Sequence, residues 1–347
     1  MDERAQYGGQ AVVEGVMMRS PRFFTVACRR LSDGEIVTQR EAVEKSLRGV
    51  LWLNKPFLRG TLALIDAMML GMKALTYAAN VQAADGQVGA QGEAPAAEAL
   101  DMALGQGAPL PVSAPPAGGH RAINGIAIGA TTVVALLIGF GLFWTLPALV
   151  TDKVLQTHNR LGANLFEGGI RLAIFFAYIG LISRLAHVQR VFQYHGAEHK
   201  AINTLEAGQA LTVDNARAAS RIHPRCGTNF IFIVLMTAIV VFSIIPRHAL
   251  SEGIGPVLET IGYRLLLLPV VAGIAFEILK WAGSNRDKRW AQALIAPGLW
   301  TQYLTTRVPD DGQIEVALVA LRSVWDIEHE MPAPATPQSA EPSAVVA

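Results

Sequence analysis

The 30 residues between Arg121 and Asp152 carry no charge, and neither do the 21 between Arg225 and Arg247. Each run is longer than the roughly 20 apolar residues a helix needs to cross the hydrocarbon core of a bilayer. They predict membrane spans at 123–150 and 229–246. Two shorter uncharged runs, Leu172 to Ser183 and Leu265 to Phe276, have 12 residues each, roughly 18 Å of helix at 1.5 Å per residue. They cross only if charged flanks join them. Arg171, Arg184, Arg264 and Lys280 are expected to do so by sending their heads to the interface along apolar stems, which places spans at 168–188 and 261–282. The chain-wide charge fraction of 16%, against about 25% in a soluble domain, is thus a deficit gathered into a few segments.

Phe57 to Ala79 is also apolar, but Arg59, Asp66 and Lys73 recur in it every seven residues and share one helical stripe. Two readings stay open: a helix in the interface or packed against the spans, and an amphipathic core helix of a soluble part. Lys and Arg set the orientation. Nine precede Phe57, and five (Arg190, Lys200, Arg217, Arg221, Arg225) lie between the second and third spans. Arg286, Lys288 and Arg289 follow the fourth. Positive-inside counting puts both termini and the 189–228 connection in the cytoplasm and argues against a crossing at 57–79. Met1 to Tyr7 is polar, so no cleaved signal peptide is expected.

The expected fold is mainly α: a polytopic helical membrane protein with about four transmembrane helices, an extra amphipathic or interfacial helix and a small N-terminal cytoplasmic β-unit. Residues 1–56 form that unit, with a hairpin expected where Ser32-Asp33-Gly34 separates Phe23 to Leu31 from Glu35 to Arg40. Residues 57–79 form the amphipathic helix. Residues 80–120, rich in Ala, Gly, Pro and Gln, read as a flexible linker. The membrane domain covers 121–300, and a cytoplasmic helix covers 301–330, where Ile314, Leu318, Leu321 and Trp325 recur at helical spacing after Pro309-Asp310-Asp311. Residues 331–347 read as a disordered tail. A net charge of +1 and no basic run argue against nucleic acid as a partner. Cys28 and Cys226, the two cysteines, form no disulfide framework and fit a reducing compartment.

Residues able to do chemistry gather in the 189–228 connection. His195-Gly196-Ala197-Glu198-His199 is an H-x-x-E-H array, which on a helix stacks two imidazoles on one face with a carboxylate beside them. This is the spacing of inverted zincins, where the histidines bind Zn and the glutamate is the general base. Ala186 to Tyr194, without Gly or Pro, is expected to extend the second span as helix. His223-Pro224-Arg225-Cys226-Gly227 adds an imidazole and a thiol, so His195, His199, His223 and Cys226 have the composition of a tetrahedral Zn site. Four ligands would close the site as a structural one; three would leave a position for hydrolysis. Glu277, about one and a half turns from the end of the fourth span, is a rival third ligand. The plainer readings stand beside these: histidines that satisfy helix ends, and Cys226 as a small buried residue.

The segments Gly8-Gly9-Gln10-Ala11-Val12-Val13-Glu14-Gly15-Val16-Met17-Met18-Arg19, Tyr194 to Lys200 and His223 to Thr228 resemble signature segments of the DUF1385 (YqhQ-like) family of bacterial multi-pass membrane proteins, as do Leu268 to Gly273 and Leu304 to Thr306 with Pro309 to Asp311. The resemblance implies a metal-dependent enzyme, a description that rests on the same His and Glu motifs. It also implies an inner-membrane location. The Gly8 to Arg19 run either folds over the His195 site, bringing Glu14 or Arg19, or is a turn ahead of the first strand.

Two functions follow from the residues. The first is metal-assisted hydrolysis at a cytoplasm-facing, Zn-like site, with Glu198 as the proton acceptor and a peptide or lipid-like substrate. The second is a non-enzymatic scaffold or assembly factor whose His/Cys cluster is structural and whose N- and C-terminal regions bind a protein partner. A transporter ranks third, because nothing ionisable is expected at the centre of the long spans. The oligomeric state has no sequence signature here.

Overall fold

A computed structural model of the chain describes residues 7–43, 58–89, 133–135, 137–155, 159–245, 253–285 and 288–330. Residues 44–56, 90–120 of the expected linker, 123–132 of the first expected span and the 331–347 tail lie outside the described residues.

Strands β1 (Gly8–Val12), β2 (Gly15–Arg19), β3 (Phe23–Arg29) and β4 (Ile36–Ala42) form an antiparallel meander in chain order. The β3–β4 hairpin turns where Ser32-Asp33-Gly34 predicts it, with Arg29 opposite Ile36 and Gly34 at φ +74°, a left-handed conformation that costs glycine least. The run Gly8 to Arg19 is itself a hairpin. Its residues Gly9 and Gly15 mark close backbone approach rather than a loop; a Cβ on Gly15 would stand 2.3 Å from the Ala27 carbonyl oxygen.

The helices are α1 (Leu58–Gly89), α2 (Leu146–Val154), α3 (Arg160–Ile182), α4 (Ala186–Glu206), α5 (Val213–Ala218), α6 (Gly227–Ser243), α7 (Ile254–Ser284), α8 (Arg289–Thr305) and α9 (Asp311–Glu330). A π-helical turn, Gly141–Thr145, leads into α2. Among the described residues, four stretches are long and apolar enough to cross a membrane: Arg59–Asp85, Val133–Val154, Leu161–Ile182 and Gly255–Ser284, while the apolar α6 has 17 residues. Glycines let these helices approach: a Cβ on Gly168 of α3 would lie 2.6 Å from Ile239 of α6, and one on Gly60 of α1 would lie 2.5 Å from Phe276 of α7.

Three expectations change. The second span does not run on into 186–194: the chain breaks at Ser183 to Leu185, where Leu185 takes an extended conformation, and α4 starts afresh. Helix α1 continues through Gly89, past the boundary placed at Ala79, because Asp85 accepts from the Leu31 and Ser32 backbone N–H groups at 2.7 and 3.1 Å and so pins the helix to the β3–β4 turn. Arg171 and Arg264 do not reach for headgroups; both turn inward onto Glu167, whose own burial demands a cation.

The sheet is covered on both faces, which explains its nearly continuous apolar runs in β2 and β3. Val12, Met17, Phe24, Val26 and Cys28 pack on Leu70, Ala74 and Ala78 of α1. The alternate residues Val16, Met18 and Ala27 meet Tyr194, Ala197 and Ala201 of α4 and Ile314, Leu318 and Leu321 of α9. Asp310 and Gln313 close the start of α9 reciprocally, each side chain accepting from the other's backbone N–H at 2.7 and 3.0 Å. Leu321→Ala should lower stability by about 2–5 kcal/mol in thermal unfolding, as for a large-to-small core change. The exposed Leu266→Ala should shift it by less than about 0.5 kcal/mol.

Candidate metal centre

Helix α4 carries His195, Glu198 and His199 on one face, and three backbone segments press onto it. The first is the connection 217–222. Lys200 Nζ donates to the Arg217 and Ala219 carbonyls at 2.7 and 2.6 Å, and the Asn203 amide donates to Ser220 and Ile222 at 2.7 and 3.1 Å. Burial, then Arg221, lowers the Lys200 pKa. The second is the segment after α8. Arg307 N–H donates to Phe192 O at 2.8 Å, and its carbonyl oxygen lies 2.1 Å from where a Cβ on Gly196 would sit. Glycine between the two histidines therefore makes room for a crossing backbone. The third is β1, where a Cβ on Gly9 would stand 2.8 Å from Glu198 Cγ.

Those segments set the state of each imidazole. His195 Nδ1 lies 2.9 Å from the Thr305 carbonyl and His199 Nδ1 lies 2.6 Å from the Arg221 carbonyl. A carbonyl only accepts, so both Nδ1 atoms carry the proton and both Nε2 atoms present lone pairs. Among the described residues, His199 Nε2 is buried without a hydrogen-bond partner. Burial, the largest influence, lowers the His199 pKa, with Cys226 and the Arg221 carbonyl opposing it. It is a neutral imidazole held ready as a donor to a cation.

Cys226 comes from the other side as the N-cap of α6. Its sulfur accepts from Thr228 N–H at 3.4 Å and lies 3.1 Å from His195 Nε2. The ligand atoms of His195, His199 and Cys226 all lie within 4.8 Å of one another. Zn–N and Zn–S bonds of about 2.1 and 2.3 Å set tetrahedral ligands roughly 3.4–3.6 Å apart, so the set fits a small divalent ion with minor closure. Glu198 Oε2 is 3.9 Å from both Nε2 atoms. Burial raises the Glu198 pKa, while His195, His223 and the Gly9 N–H pull against that rise.

His223 and Glu277 do not join this set. His223 Nε2 lies 3.3 Å from Glu206 and its Nδ1 accepts from Arg225 N–H at 3.4 Å. Its backbone is held instead: the Gln302 amide accepts from His223 N–H at 2.9 Å and donates to its carbonyl at 2.8 Å. Fixing the backbone at 223 turns the Cys226 side chain toward α4. Glu277 is committed to Arg59, with two hydrogen bonds of 2.7 and 2.6 Å. Sequence reasoning missed Gln302; a glutamine within a largely apolar helix, fully buried here, was its one signal.

The Gly8 to Arg19 hairpin folds over α4, the first of its two readings. Glu14, at φ +52° in the β1–β2 turn, accepts from both Arg190 Nε and Nη2, the latter at 2.6 Å, and from the Tyr194 hydroxyl at 3.2 Å. It thus clamps the hairpin one turn before His195 and does not itself reach the centre. Burial, then Glu14, pushes the Tyr194 hydroxyl up, so it stays a donor. Cys28, the other cysteine, is buried in the sheet and pushed up to about 12, chiefly by burial; it is an inert thiol.

A sequence profile described as protein of unknown function, DUF1385, matches residues 55–327. The chain belongs to the DUF1385 family. It is also 30% identical over 323 residues, 93% of each chain, to the uncharacterized protein YqhQ of Bacillus subtilis (strain 168). No solved structure matches. Membership in DUF1385 brings no assigned activity, so the geometry alone carries the chemistry.

Gly196→Ala should cost about 1–3 kcal/mol, the penalty of overpacking, and Gln302→Leu should cost a similar amount by leaving the His223 amide and carbonyl unpaired. In both variants, checked by thermal unfolding and by thiol alkylation, Cys226 should become more reactive as it loses its seat beside His195.

Proposed function

We propose that this protein is a membrane-bound, metal-dependent hydrolase whose divalent ion, Zn-like, is held by His195, His199 and Cys226 at the cytoplasmic face. One observation carries the reading: two imidazoles whose Nδ1 atoms are taken by carbonyls present their Nε2 atoms, one of them buried and partnerless, toward a thiol and a carboxylate. That is the arrangement of ligands oriented by their outer partners. When bound, the metal supplies Lewis acidity to a substrate carbonyl or to water. Glu198 is the proton acceptor: its raised pKa suits it to take a proton and then hand it to a leaving group. Thr305 and Arg221 hold the imidazoles through their carbonyls, and Arg190 and Tyr194 hold Glu14 so that β1 shields Glu198 from water. The part-exposed side of the centre is that of His195 and Cys226, where a peptide or lipid-like substrate would enter.

The scaffold reading keeps one observation in its favour. Glu198 and His199 are nearly sealed by β1 and the connection 217–222, as a closed structural site would be. In either case we place the protein in the bacterial cytoplasmic membrane, with both termini and the 189–228 connection inside. The sheet supports this placement, because Leu70, Ala74, Ala78 and Asp85 of α1 are committed to it, which argues for the C-terminal half of α1 lying on the cytoplasmic side while its N-terminal end packs on α7. Protein partners would then meet the N- and C-terminal regions.

Purified protein should hold about one Zn per chain. His199→Ala should lose it, while Glu198→Gln should keep it and fail to complement a deletion strain. No metal in the wild type sinks the reading, and a silent Glu198→Gln hands it to the scaffold. A reporter enzyme fused to the C-terminus should read cytoplasmic; a periplasmic signal would overturn the orientation.

A further inference from the structure

A second ionised cluster lies inside the helices that are long enough to cross a membrane, well away from the His/Cys centre. Glu167 of α3 accepts from Arg171 Nη2 at 2.7 Å and from Arg264 Nη1 of α7 at 2.6 Å, with Arg264 Nη2 at 3.4 Å from its second oxygen. Glu167 precedes the end of α3 at Ile182 by 15 residues, about 22 Å of helix, so the cluster sits toward the opposite membrane face from α4. All three side chains are buried.

Among the described residues, the two guanidinium groups and the one carboxylate carry a formal charge of +1. A buried unbalanced charge costs several kcal/mol in a low-dielectric setting, and ionisable groups at such a depth mark functional sites by default. Two atoms specify what is missing. Among the described residues, Arg264 Nε–H is a buried donor without an acceptor, on a side chain 95% buried, and Asn164 Oδ1 is a buried acceptor without a donor. Asn164 stands one turn before Glu167 on α3, and its amide already donates to the Ser243 and Ile245 carbonyls at 3.0 Å each. Trp144 and Phe242 lie 5.9 and 5.8 Å from the Arg171 and Arg264 guanidinium carbons. These rings give the cations an apolar wall without neutralising them.

We propose that Arg171, Arg264 and Asn164 form a binding site for a phosphate monoanion that carries a neighbouring hydroxyl donor. The phosphate balances the surplus charge and accepts from Arg264 Nε; the hydroxyl donates to Asn164 Oδ1. An anionic phosphoglycerol lipid headgroup has this chemistry, and so does a soluble phosphate ester in its singly ionised form. Glu167 then acts as the competing internal anion that holds the two arginines in place.

The test is thermal unfolding of the full chain in detergent, with native mass spectrometry. Phosphatidylglycerol, phosphatidylcholine and soluble glycerol phosphate are added separately. Phosphatidylglycerol should raise the melting temperature and remain bound one per chain, with phosphatidylcholine inert. Stabilisation by glycerol phosphate alone would assign the site to a soluble ligand and uphold it. Arg264→Gln should weaken binding by about 30-fold or more, as expected for loss of one partner of a buried charge. Because that variant can fail to fold, Glu167→Gln is the second arm. It removes the internal competitor, so it should unfold earlier than wild type without ligand and gain more from phosphatidylglycerol than wild type does. A cluster that is only a structural ion pair gives no phosphate-dependent shift in wild type or in Glu167→Gln, and that result overturns the proposal.

Discussion

Backbone packed directly onto helix α4 is the constraint on which the remainder of the site depends. Carbonyls of Thr305 and Arg221 can reach the imidazoles of His195 and His199 only because neighbouring segments lie closer to the helix than side chains would allow. Gly196 opens the approach of the 305–307 segment, and Gly9 opens that of β1 onto Glu198. Once those segments are seated, the tautomers of both histidines are decided, Glu198 is cut off from water, and His199 Nε2 is left without a hydrogen-bond partner among the described residues. The sheet, α9 and the C-terminal end of α8 serve this arrangement as a clamp. The apolar contacts of Val16 and Met18 with Ala197 and Ala201 keep α4 from moving away.

The same economy governs the charges. A chain with few ionised groups cannot solvate many of them in its membrane portion, and three of its carboxylates are paired across elements. Glu277 takes Arg59, Glu167 takes Arg171 and Arg264, and Glu14 takes Arg190. The first of these ties α1 to α7, and the last ties the sheet to α4. These pairs link elements far apart in sequence, and they work as registration devices between layers as much as sources of stability.

Much of the architecture was legible because it follows from local periodicity. The uncharged runs, the Ser32-Asp33-Gly34 hairpin and the capped helix after Pro309 needed no tertiary information. The two histidines and Glu198 were legible for the same reason, since spacing of four and three residues on a helix sets a face. The choice between His223 and Cys226 was not. Both lie in one short loop and face α4, His223 against Glu206 and Cys226 against His195, and packing, with Gln302 holding the His223 backbone from 79 residues away, sets which of them meets the Nε2 atoms. Glu277 looked available because its partner Arg59 is 218 residues distant. Arg171 and Arg264 looked like interface anchors because a boundary drawn at 168 left Glu167 just outside the span.

By itself the sequence determined where this chain meets apolar surroundings and which residues share a helix face, because hydrophobic runs and helical spacing are short-range properties of the covalent chain. Only the tertiary structure decided which of the candidate ligands converge, which arginines turn inward and which backbone seals Glu198. Those outcomes depend on hydrogen bonds and ion pairs between segments separated by tens to hundreds of residues, whose partners are selected by packing rather than by spacing.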